Sequence, residues 1–201
     1  MLCMVEMKTI THFSELDLTK EYSFSDYLQW QFSERVELLK GFIKQMSPAP
    51  SRKHQTTSQN INKYFLNFFT CSSCSIFSAP FDVRLPIASA KKDTTVVQPD
   101  LCIICDESKL DDYGCNGSPD LIVEIVSPNN SKYDVDTKFR LYQEAGVMEY
   151  WIVQTEMKTV LVYRLKDGFY VGSKPFSEGE IIESPLFPEM KIAVDEVFYK
   201  V

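Results

Sequence analysis

Histidine is scarce in this chain: of 201 residues only His12 and His54 are histidines. His12 falls in the irregular first twenty residues and His54 at the start of a helix, so a zinc centre or hydrolytic triad built on imidazole lacks companions. Long apolar runs are missing too, and none approaches the ~18 residues a membrane-spanning helix requires. The opening Met1-Leu-Cys-Met-Val-Glu-Met-Lys8 has no basic segment leading into an apolar core, so a secretion signal is not expected and the expected location is cytoplasmic, with no membrane partner. Positive charge is also short. The formal net charge of -7 gives no general attraction for nucleic acid, whose phosphates are met by lysine and arginine. Arg52, Lys53 and Lys63 form the local basic patch that could still contact a backbone. There is no internal repeat and no low-complexity segment.

What is present is enough to fold. The 44% hydrophobic and 13% aromatic content argues against disorder, and the length suits one domain over residues 1–201, with 1–20 as an extended lead-in. Six cysteines include two CxxC pairs, Cys71/Cys74 and Cys102/Cys105. Side chains alternate along a strand, so Cys102 and Cys105 should face opposite ways and cannot jointly grip zinc. Free thiols, with neither disulfide nor zinc, are expected.

Periodicity orders the elements. Ser25 is expected to cap a short helix with Asp26 in its first turn. Residues 35–39 and 42–46 flank Lys40-Gly41 as a hairpin. Ile61, Tyr64, Phe65, Phe68 and Phe69 make one stripe of a helix from 51 to about 70. Strands follow near 75–85, 96–105 and 119–126, then a helix over 133–145 stopped by Gly146, then a meander through 148–153, 159–163 and 169–171 with a turn at Lys166-Asp-Gly. A strand–strand–helix–strand centre implies an α/β (α+β) fold, a mixed β-sheet core flanked by helices with additional antiparallel strands.

The chemistry concentrates in that centre. Ser118-Pro-Asp-Leu-Ile-Val-Glu-Ile-Val-Ser127 places Glu124 inside an apolar strand, and Val97-Gln-Pro-Asp-Leu101 opens another strand with Asp100. Buried carboxylates need a cation or hydrogen bonds. Lys138, on the following helix, can be carried back toward Glu124, although an i, i+4 pair with Asp134 would also account for it. Glu37 reads as an outward ion-pairing residue or a further ligand. Asp82 has Arg84 on its own strand face as the expected partner. His54 reads as a helix-start or surface residue. Two carboxylates plus a lysine are the inventory of a magnesium-dependent phosphodiesterase site.

Taken in order, Val36-Glu-Leu-Leu-Lys-Gly-Phe-Ile43, Met46-Ser-Pro-Ala-Pro50 with His54, Phe81-Asp-Val-Arg-Leu85, Val97-Gln-Pro-Asp-Leu101, the 118–128 segment, Tyr133-Asp134 with Lys138 and Tyr142, and Gly146-Val-Met-Glu-Tyr-Trp-Ile-Val153 resemble the bacterial putative restriction endonuclease family of the PD-(D/E)xK superfamily. The resemblance runs from about Phe24 to the C-terminus. It implies a restriction-endonuclease-like core, DNA as substrate, and Mg²⁺ (with Mn²⁺ as a substitute) held by Asp100, Glu124 and the backbone carbonyl of Ile125. By the same likeness Asp100, Glu124 and Lys138 are catalytic, Glu37, Asp82 and Gln98 support them, and the chain forms a homodimer or higher homo-oligomer. The superfamily's lysine stands two residues after the acid, where this chain has Val126, so Lys138 is the expected replacement. The competing expectation is a non-catalytic nucleic-acid or protein-binding module on the same fold. A redox or zinc protein using Cys71 and Cys74 is the third.

Overall fold

The computed structural model describes residues 9–46, 49–126 and 132–201, the side chains of residues 132–134 excepted. Ser23, rather than the expected Ser25, caps helix α1 (Phe24–Tyr27): its hydroxyl accepts from the Asp26 amide while the Asp26 carboxylate accepts from the Ser23 amide. Lys40 and Gly41, at φ 54° and 92°, turn strand β1 (Val36–Leu39) back onto β2 (Phe42–Gln45) as the hairpin reading requires. Helix α2 (Arg52–Phe68) starts at a Ser51 cap. There follow β3 (Ser75–Ser78), β4 (Val83–Arg84), β5 (Val96–Val97), β6 (Leu101–Ile104), β7 (Leu110–Asp111), β8 (Gly114–Asn116) and β9 (Leu121–Val126). Helix α3 (Lys132–Ala145) ends at Gly146, whose φ of 84° suits a glycine stop. The meander is β10 (Glu149–Gln154), β11 (Thr159–Lys166) and β12 (Phe169–Gly172), and β13 (Ile181–Glu183), β14 (Lys191–Ala193) and α4 (Val194–Val197) complete the chain.

The fold is mixed α+β. Among the described residues two six-stranded sheets run in the orders β2-β1-β5-β4-β8-β7 and β12-β11-β10-β9-β6-β3, with β13-β14 as a small third sheet. β6 and β9 are antiparallel, whereas β9 and β10 are parallel and joined through α3. Two expected strands are broken. The 75–85 segment divides into β3 and β4, and the 96–105 segment into β5 and β6, each half in a different sheet. Pro80 and Pro99 stand in the gaps, where a residue without an N–H cannot extend a ladder. At Gln98-Pro99-Asp100 the chain leaves one large sheet and enters the other.

Packing follows the alternation of the strands. One face of β6–β9–β10 buries Leu101, Leu121, Val123 and Trp151 against Ile61 and Phe65 of α2. The opposite face buries Cys102, Ile122 and Ile152 against Leu141 and Tyr142 of α3 and against Val83, Val97 and Cys115 of the other large sheet. Leu16, Tyr22 and Phe24 cover Leu38 and Val96 in a smaller cluster.

Cys102 and Cys105 face opposite ways, as alternation demands. The expectation that all cysteines stay free is overturned, because Cys74 and Cys105 form a disulfide. The β3–β6 register pairs Ser75 with Ile104, which sets the next residues out, Cys74 and Cys105, opposite each other with 3.9 Å between their Cα atoms. Cys71, Cys102 and Cys115 are the free thiols among the described residues.

One buried carboxylate lies outside the expected site. Glu149 Oε1 accepts from the Trp151 indole N–H at 2.7 Å and its Oε2 accepts from the Leu186 amide at 2.7 Å, pinning the 184–186 segment to β10. Burial holds its carboxyl above the usual range despite these bonds. Glu149→Ala leaves two interior N–H groups without an acceptor, so urea unfolding should show a loss of about 2–4 kcal/mol at unchanged m. A loss under about 1 kcal/mol would show that these bonds do not hold the segment.

Candidate active site

The β6–β9 ladder pairs Ile103 with Leu121, Cys102 with Ile122 and Leu101 with Val123. One step further along the same register Asp100 faces Glu124, and residues directly opposite on antiparallel strands share a face, with Cβ atoms about 4.5–5.5 Å apart. The two predicted acids are therefore brought together. Asp100 Oδ2 accepts from the Ile125 amide at 2.7 Å and lies 3.2 Å from His54 Nε2. Glu124 Oε1 accepts from Tyr142 Oη at 2.5 Å and from Lys138 Nζ at 2.9 Å.

Helix α3 delivers both donors because Lys138 and Tyr142 are four residues apart and lie on one face. Lys138 also donates to Glu37 Oε1 at 2.9 Å. Glu37 is buried on β1, its neighbours Val36 and Leu38 facing away into the core, and its Oε1 takes the Gln98 amide at 2.9 Å as well. It is thus neither an outward ion pair nor free. The Asp134 side chain, the alternative partner for Lys138, lies outside the described residues.

The supporting residues form a second chain of bonds. Gln98 Nε2 donates to Asp82 Oδ1 at 2.8 Å, and Tyr27 Oη donates to the same oxygen at 3.1 Å. The expected Asp82–Arg84 pair does not form: Arg84 pairs with Asp111 and lies over the Phe24 ring, because Asp82 precedes β4 and turns toward Gln98. A cleft lined by Phe81, Asp82, Gln98 and Tyr113 opens beside this chain. Of the expected basic patch, Arg52 donates to the Lys200 carbonyl and Lys53 pairs with Glu156, while Lys63 is exposed. Two side chains at the site were not foreseen in these positions. Tyr142 had a usable signal in its four-residue spacing from Lys138. His54 had none, since its contact with Asp100 joins distant parts of the chain.

Electrostatics bind these groups into one unit. Burial lifts the Glu124 carboxyl to about 7; Lys138 opposes the rise, while Asp100 and Glu37 add to it. Burial alone would weaken the Lys138 ammonium, but Glu124 and Glu37 outweigh it and hold the proton more firmly than on a free lysine. His54 is likewise raised: burial works against the charged ring and the Asp100 hydrogen bond overrides it. Burial, then the charges of Glu124 and Glu37, keep Tyr142 protonated.

Glu37 and Glu124 flank the Lys138 ammonium, while Asp100, in contact with His54, adds its charge to the surroundings of Glu124. Among the described residues no three His, Cys, Asp or Glu side chains form a ready-made metal cage. Mg²⁺ does not need one, because it is commonly held by one or two carboxylates with water and substrate oxygens completing the octahedron. In chemical type Asp100, Glu124 and the Ile125 carbonyl are oxygen donors suited to such an ion, and His54, bonded to Asp100 and to the Ile125 backbone, is the group that it would displace.

Among known proteins, residues 24–195 match the family model described as putative restriction endonuclease. The uncharacterized protein slr1290 of Synechocystis sp. is 27% identical over 147 residues, covering 71% of this chain and 74% of that protein. The crystal structure of a putative nuclease belonging to DUF820 from Anabaena variabilis is similar in fold, with a TM-score of 0.67 at 20% identity over 88% of this chain and 97% of that one. No helix among the described residues is long and apolar enough to cross a membrane.

Lys138→Met leaves the buried Glu37 and half-buried Glu124 carboxylates without their cation and should cost about 3 kcal/mol at pH 8 in chemical denaturation; an unchanged midpoint would mean that Lys138 is not the cation these acids depend on. Glu124→Gln acts in the opposite direction. Because the folded carboxyl sits near 7 against an ordinary 4.5, the folded state holds an extra proton between those values, so this group's contribution to stability falls as pH rises through that window. The glutamine variant should lose that slope, so the stability difference between the two proteins should shift in the variant's favour from pH 4.5 to pH 8. Parallel stability curves for the two proteins from pH 4.5 to pH 8 would contradict it.

Proposed function

The chain belongs to the putative restriction endonuclease family, and from that premise we propose that it is a metal-dependent endonuclease that hydrolyses phosphodiester bonds in DNA. The observation that carries the reading is the Lys138 ammonium, 2.9 Å from a Glu124 carboxylate that stands opposite Asp100. Asp100, Glu124 and the Ile125 carbonyl would hold Mg²⁺, with Mn²⁺ as a substitute. Mg²⁺ bound there supplies a Lewis acid for the scissile phosphate and lowers the pKa of water beside it.

The chain's own residues do the remaining work. The Ile125 amide and His54 fix Asp100, and Tyr142 fixes Glu124, so neither carboxylate must reorganise when charge develops. Lys138 fills the place that Val126 leaves vacant in the superfamily's pattern. Its strengthened hold on the proton suits it to orienting the attacking water and stabilising a phosphorane-like charge rather than removing a proton. Glu37 holds Lys138 from the opposite side, with Gln98 and Asp82 behind it.

A second reading, a binding module without cleavage, draws on the net charge of -7 and on Val126 in the usual lysine position. Incubation of metal-stripped protein with supercoiled plasmid, with and without Mg²⁺, separates the two. The parent should nick or linearise DNA only with the metal, and Glu124→Ala should abolish cleavage while remaining folded by circular dichroism. A Glu124→Ala protein cleaving as fast as the parent, contamination excluded, would defeat the mechanism; DNA binding indifferent to Mg²⁺ and without cleavage would favour the module.

A further inference from the structure

We propose that Arg35 is the residue that grips the DNA backbone beside the acid cluster, as a phosphate-binding positioning residue held ready by Gln98; the inference rests on the nuclease reading. The Arg35 carbonyl accepts from the Met46 amide at 2.9 Å, so the β1–β2 hairpin continues one residue outward. Strand alternation then puts Arg35 on the same face as Glu37, about 7 Å further along. Arg35 is exposed, whereas Glu37 is buried beneath it.

The guanidinium is oriented without being neutralised. Its Nε and Nη2 both donate to Gln98 Oε1, at 3.2 and 2.7 Å, and that oxygen is an uncharged amide carbonyl. Gln98 cannot turn away, because its Nε2 is engaged with Asp82 and its backbone amide with Glu37. Other cations near the site are committed: Lys138 to Glu37 and Glu124, Lys40 to Glu144, Lys53 to Glu156, Arg84 to Asp111. Among the described residues no carboxylate pairs with Arg35, which therefore presents a planar charge two residues from one acid of the cluster, fastened to the residue that stands two before Asp100. A planar fork with an open edge matches the oxygens of a phosphodiester better than a point charge does. In a chain of net charge -7, such a local cation is what lets a polyanion approach the site.

The test measures DNA rather than metal. Labelled duplex is titrated against the Glu124→Ala background by fluorescence anisotropy across a salt series, and steady-state cleavage is measured in the otherwise unaltered protein. Arg35→Gln should weaken binding about tenfold, raise KM by a similar factor with kcat changed far less, and reduce the slope of log K against log salt by about one. Arg35→Lys should restore the slope and part of the affinity. If Arg35 only props Gln98, the salt slope stays that of the parent, and that result overturns the inference while leaving cleavage intact. A chain that neither binds nor cleaves duplex overturns both the inference and the nuclease reading.

Discussion

A half-buried ammonium joins the two large sheets of this protein. Lys138 comes from α3, Glu37 from β1 in one sheet and Glu124 from β9 in the other, and the lysine lies 2.9 Å from each carboxylate. Taking such charges out of water costs several kcal/mol per ion, recovered only when geometry and additional hydrogen bonds are good. Both conditions are met by the Gln98 amide on Glu37 and the Tyr142 hydroxyl on Glu124. The break in the chain at Gln98-Pro99-Asp100 belongs to the same arrangement: a continuous strand there would direct the Gln98 amide into a ladder, and Glu37 would lose a donor.

The crossover explains why the cluster sits where it does. β9 and β10 are parallel, so the connection between them must pass over a sheet face, and α3 is that connection. Lys138 and Tyr142 lie on the helix face turned toward Glu124. On the adjoining strand, Asp100 is held by an amide of β9 and by His54 at the start of α2. Each acid is thus fixed by a different element. The site is preorganised through the packing of the elements themselves, the condition under which charged groups act strongly on a developing phosphate charge.

Much of this was legible in the sequence, for local reasons. The two hairpin turns follow from Lys40-Gly41 and Asp167-Gly168, the long helix from its aromatic stripe, and the buried acid from Glu124 set among aliphatic neighbours. The motif likeness pointed to Asp100, Glu124 and Lys138, and the structure brings these three together. What failed depended on register between distant segments. Pairing of Ser75 with Ile104 set Cys74 against Cys105, which no spacing rule for CxxC announces. The turn before β4 diverted Asp82 from Arg84 toward Gln98. His54 reached Asp100 because α2 begins beside β6, a placement decided by tertiary packing, and the local rule for helix starts pointed elsewhere.

The central claim is that the opposed Asp100 and Glu124 carboxylates, with the Ile125 carbonyl, are a metal site rather than a structural ion network alone. Crystals grown or soaked with Mn²⁺ and measured at a wavelength that reveals its anomalous scattering test this most directly. The account predicts one strong peak coordinated by Asp100, Glu124 and the Ile125 carbonyl, with Lys138 still in contact with Glu124. A peak elsewhere, such as at the exposed Asp111 and Asp112, or none at a Mn²⁺ concentration that supports cleavage, would contradict it.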